Sequence, residues 1–81
     1  MKKQIMRTLI TTYTVGDKNT VKLLYAILGA RIYLISQDYD SEKLRTLAKK
    51  YGGYDSFELR SGRGRILEKW EYIRYVETET L

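Results

Sequence analysis

Three guanidiniums fall within one short stretch, Arg60-Ser61-Gly62-Arg63-Gly64-Arg65. Arginine forks match phosphate oxygens bidentately, and glycines let a backbone come close to a surface. The stretch therefore suits a polyanion, and an Arg-Gly-Arg step fits a narrow, electronegative minor groove. The plainer alternative is a solvated hairpin turn whose glycines serve left-handed conformations. A second basic set, Lys2, Lys3 and Arg7, with Lys18 and Lys22 further along, is suited to following a phosphate backbone. A third interleaves bases with rings: Lys69 and Arg74 lie among Trp70, Tyr72 and Tyr75, an arrangement that stacks unpaired nucleobases. Trp70, the sole tryptophan, is expected in the core instead.

Catalytic constellations are scarcer. Asp38 and Asp40, with Glu42 following, stand where paired carboxylates at a strand end hold Mg²⁺ for phosphoryl chemistry. An Asp-x-Asp ahead of a helix is more often a cap for orphan backbone N–H groups. With neither His nor Cys in the chain, imidazole bases, Ser–His triads, thiolate nucleophiles and zinc sites of the usual kinds are excluded. Gly62-x-Gly64 lacks the Gly-Lys-Ser/Thr of a P-loop and the third glycine of a dinucleotide fingerprint. The expectation is a binding protein and not an enzyme, with no catalytic residue, metal or cofactor.

Charge distribution points the same way. The 81 residues carry a formal charge of +5, 15 bases against 10 acids. Residues 1–37 hold six bases against Asp17 alone, whereas residues 38–81 balance. A basic half suggests a polyanionic partner, nucleic acid (DNA more than RNA) or an acidic protein; the same charge also keeps a small protein soluble. Arg63-Gly64-Arg65 is similar to the centre of an AT-hook, without the prolines that flank that motif. Few Asn, Gln and Met, no Cys and eight tyrosines give a thermophile-like bias, although the chain has no Pro. The mixture resembles that of small orphan proteins of archaeal viruses and plasmids, in composition only. No apolar run is long enough to span a bilayer and Met1-Lys2-Lys3 opens no signal peptide, so the expected setting is intracellular, in the host cell if the source is viral.

The elements that must position these residues follow from periodicity. Residues 4–15 alternate, with Ile5, Leu9, Tyr13 and Val15 on one face, and read as a strand. Val21–Leu28 is apolar almost throughout; Leu and Ala propensity, a polar start and Gly29 beyond its end favour a helix over a strand. Arg31–Gln37 reads as a short strand. Leu44, Leu47, Ala48 and Tyr51 form a helical stripe, capped at Asp40 or Ser41, with Lys49 and Lys50 in its last turn and an end at Gly52-Gly53. Phe57–Arg60 and Arg65–Glu77 read as a hairpin about the Arg/Gly turn, and 78–81 as a frayed polar tail.

The expected fold is a single α+β domain over 1–81, a small mixed sheet of about four strands covered by two helices, in the order β-α-β-α-β-β, with the first strand–helix–strand unit a parallel crossover. The alternative is a mostly antiparallel sheet with one helix, residues 19–28 then being a strand. A Tyr-rich sheet face would offer a protein-interaction or homodimer surface, as in an inhibitor or accessory protein of a virus or mobile element.

Overall fold

The computed structural model describes the backbone of residues 4–74 and the side chains of residues 7–71. Five strands form one sheet: β1 (Gln4–Thr11), β2 (Lys22–Leu28), β3 (Arg31–Asp38), β4 (Ser56–Ser61) and β5 (Ile66–Arg74). Their spatial order is β1-β5-β4-β2-β3, and every neighbouring pair is antiparallel. The one α-helix among the described residues is α1 (Ser41–Ala48), between β3 and β4. It is too short to cross a membrane. Lys2, Lys3, Tyr75 and the tail at 78–81 lie outside the described residues, as do the side chains of Tyr72 and Arg74.

The α+β class is as the sequence implies, but the arrangement is the antiparallel alternative with one helix, and among the described residues there is no parallel strand–helix–strand unit. Val21–Leu28 contains no helix. Lys22, Leu24 and Ala26 are buried while Leu23, Tyr25 and Ile27 are half-buried, the period-two pattern of a strand. The run is apolar on both faces because β2 lies inside the sheet, hydrogen-bonded to β3 and β4. Gly29, read as a helix stop, is the first central residue of a two-residue hairpin turn closed by Leu28 opposite Arg31. Its φ of +61° is the conformation that a type II′ turn requires at that place, so Gly-Ala closes the hairpin.

The first strand is also shorter than its alternation implies. A bulge between Thr8 and Ile10 breaks the register, and the chain leaves the sheet after Thr11. Leu9 and Val15 are consequently exposed and share no buried face with Tyr13.

Helix α1 begins where the polar pattern implies, with the Asp40 carboxylate accepting the Glu42 N–H at 2.9 Å. It stops at Ala48, so Lys49 and Lys50 follow its last turn and do not belong to it. Leu44 and Ala48 pack on Leu24, Ala26, Phe57, Leu59 and Trp70 from β2, β4 and β5. Burying each of the large side chains contributes about 1.5–3 kcal/mol. Trp70 is fully buried, stacked on Phe57 with ring centroids 6.2 Å apart. Tyr54, Tyr33 and Tyr51 continue outward from Phe57 through edge-on contacts, so these tyrosines extend the core to the β3 rim.

Replacing Gly29 with valine forces a β-branched residue into the left-handed region. The expected loss is about 1–2 kcal/mol, read in urea unfolding as a lower midpoint at unchanged slope.

Candidate nucleic-acid interface

The Arg/Gly stretch forms the β4–β5 turn. Gly64, at φ +95°, takes the left-handed position that closes it, and its N–H donates to the Ser61 carbonyl at 2.8 Å. Ser61 Oγ accepts the Arg63 and Arg65 N–H groups at 3.3 and 3.2 Å. The structural reading of the glycines is therefore realised. The three guanidiniums, however, part company.

Arg60 lies across the helix-free face of the sheet. It donates to Glu58 at 2.8 Å through Nε and at 2.5 Å through Nη2, and stands 5.0 Å over the centre of the Tyr25 ring. Lys69 Nζ lies 3.6 Å from the same carboxylate. Arg7 on β1 pairs with Glu71 on β5. Arg74 is the last residue of β5, opposite Gln4. Arg65 lies back along the 12–17 segment while still exposed, donating to the Thr12 carbonyl at 2.6 Å and pairing with Asp17. Arg63 alone projects from the turn, exposed, its guanidinium without a partner among the described residues. The predicted set is thus distributed over the molecule, and of its five members whose side chains are described, all but Arg63 are ion-paired within the fold.

Sequence reasoning missed the residue that organises this end. In the sequence Asp17 stands out only as the one acid among the first 37 residues. It closes a 3₁₀ turn over Val15–Asp17, its carboxylate accepting the Thr14 N–H at 2.6 Å and the Thr14 hydroxyl at 3.0 Å. The Thr14-x-x-Asp17 spacing carried that signal, since it is a capping-box pattern. These bonds, the Thr14 N–H foremost and the Arg65 guanidinium next, hold the Asp17 carboxyl below its usual pKa.

Two clefts open beside the 14–20 loop, both lined by Thr14 and Asp17. One, of about 580 Å³, lies against the β4–β5 turn and includes Arg63 and Arg65. The other, of about 690 Å³, lies against the start of α1 and is lined by Tyr13, Lys18, Lys22, Tyr39 and Arg45. Lys18 is exposed and unpaired among the described residues. Lys22 is only 3% exposed, and its ammonium donates to the Thr20 and Tyr39 carbonyls at 2.9 Å each, with no carboxylate paired to it among the described residues. Arg45 holds Glu68 in a fork, at 2.7 and 2.8 Å, and also pairs with Glu42; the Glu68 contact keeps the guanidinium pKa raised. Tyr13 donates to Glu68 at 3.1 Å, and burial with that neighbouring charge raises its phenol pKa.

The acidic pair reads as a cap. Asp38 accepts the Asp40 N–H at 2.9 Å and Asp40 accepts that of Glu42, and no group of three or more acidic residues among those described is placed to hold a metal ion.

Because the Asp17 pKa is lowered on folding, its contribution to stability is complete above the ordinary value of 3.8 and disappears as pH falls through the lowered one. Asp17→Asn is therefore expected to lower Tm at neutral pH, with the gap from the parent chain narrowing progressively below that value. Thermal melts from neutral to strongly acidic pH check this. Comparison of the chain with protein-family models, curated proteins and solved structures finds no match.

Proposed function

We propose that the protein binds nucleic acid through its phosphate backbone, at the end of the sheet where the 14–20 loop meets the β4–β5 turn. The observation that carries this reading is the Arg65–Asp17 pair. It ties two segments almost 50 residues apart in sequence, |i−j| being 48, and brings the unpaired Arg63 and Lys18 to one end of the molecule. Cations free of carboxylate partners are those whose counterions a phosphate chain displaces. Arg60, Arg7 and Lys69 have their charges answered within the fold, so their part in this reading is secondary. DNA is the first partner to try, given the Arg-Gly-Arg step at the turn.

The rival reading is a protein-interaction module. It is favoured by the apolar exposure of β3, where Ile32 and Leu34 are 51% and 57% exposed.

Fluorescence polarisation with labelled duplex and single-stranded DNA and RNA, titrated with salt, separates the readings. Two phosphate contacts predict an affinity that falls about tenfold for a fourfold rise in salt. Arg63→Ala and Lys18→Ala should each weaken binding and reduce the salt slope by about 1, with Tm unchanged, whereas Lys49→Ala beyond the helix should leave it as it was. Absence of binding at low salt, or binding indifferent to both substitutions, overturns the proposal.

A further inference from the structure

Strand β3 is the free edge of the sheet on the side away from β1, and its first half carries large apolar side chains. Arg31, Ile32, Tyr33 and Leu34 are all exposed, and among the described residues no strand, helix or loop hydrogen-bonds to its outer side. A long edge with apolar side chains is a template for another strand.

The edge has a hidden symmetry. Its pairing with β2 shifts between Leu24 and Tyr25, leaving Ile35 as an extra residue. Before this bulge Arg31 and Tyr33 lie opposite Leu28 and Ala26, and after it Ser36 and Asp38 lie opposite Leu24 and Lys22. The four therefore share the face covered by α1, although Arg31 and Asp38 differ in parity along the chain. Ile32, Leu34 and Gln37, opposite Ile27, Tyr25 and Leu23, share the other face.

Two copies of such a strand laid antiparallel about a two-fold axis normal to the sheet must place same-face residues opposite one another. One register does so with charge complementarity at both ends. Arg31 meets Asp38 of the second copy, Ile32 meets Gln37, Tyr33 meets Ser36, and Leu34 meets its own counterpart at the axis, with Ile35 left as the extra residue of each bulge. Without the bulge, the Arg31–Asp38 pairing would set side chains on opposite faces. Arg31 has no ion pair among the described residues, and the Asp38 carboxylate accepts only the Asp40 N–H. Both charges are thus available to a partner.

From these features we infer that the β3 edge docks a second copy of this chain, joining two five-stranded sheets into one through antiparallel β3–β3 pairing with reciprocal Arg31–Asp38 ion pairs. The inference is independent of nucleic-acid binding.

Sedimentation equilibrium of the full chain over a wide concentration range tests it. The parent chain is expected to dimerise. Arg31→Asp and Asp38→Arg, each placing like charges opposite one another, should each be monomeric. An equimolar mixture of the two should recover the dimer, because each then supplies the charge the other lacks. If Asp38→Arg fails to fold through loss of its contact to Asp40, Ile32→Lys, on an exposed position, should still abolish the dimer with circular dichroism unchanged. A parent chain monomeric throughout, or a dimer that survives Arg31→Asp and Ile32→Lys, overturns the inference, the latter assigning the contact to another surface. Recruitment of a different protein by a monomeric parent chain likewise counts against it.

Discussion

Among the described residues one eight-residue helix has to cover a sheet of five strands. The helix is about 12 Å long and the sheet about 19 Å across, so apolar cover exists for one face of the central strands only. The position of that helix therefore matters more than any other packing choice. It is set by Leu44 and Ala48 seated on β2 and β4, and by the Arg45 fork on Glu68, which reaches β5. Glu68 is 6% exposed, so its charge must be met where it lies, and Arg45 meets it at the cost of being held to one geometry. Lys22 and Tyr13 sit beside this contact, and the larger cleft takes its shape from it.

The face without a helix is stabilised differently. Glu58 is buried there beneath Arg60 and Lys69, and Arg60 lies on the Tyr25 ring. The long arginine and lysine stems serve as covering material as well as charge. A basic composition on paper thus becomes a nearly neutral sheet face and a more positive end, because folding answers some cations and leaves others open. Net charge alone could not have told them apart.

Several features were legible in the sequence for physical reasons. Trp70 in the core, the Asp40 cap, the α1 stripe through Leu44 and Ala48, and the turn at Ser61–Gly64 all rest on local chemistry, and the structure contains each of them. What escaped depends on neighbours that are distant in sequence. The run through Val21–Leu28 is apolar because β3 and β4 flank it, which no window along the chain reveals, and Leu and Ala propensity then argued for the wrong element. The bulges at Thr8–Ile10 and in β3 displace side chains from the faces that alternation assigns them. The candidate site suffered similarly. Spacing placed Arg60, Arg63 and Arg65 together, whereas their separate partners, Glu58 and Asp17, send two of them to different surfaces.

The pairing of β1 with β5 also bears on how the molecule is made. Among the described residues β1 is hydrogen-bonded to no strand but β5, in a register that sets Gln4 opposite Arg74. The hairpin of β2 and β3, the helix, and then β4 can assemble as they appear, each against material already present. The first of these five strands to be synthesised has no such option and must wait for the fifth. Until β5 arrives, its β-branched, Thr-rich stretch is an unsatisfied strand in a crowded cell, and every second of translation lengthens that interval. Substitutions that slow elongation through residues 50–70 would thus act on the fate of residues 4–11, with no change to the finished fold.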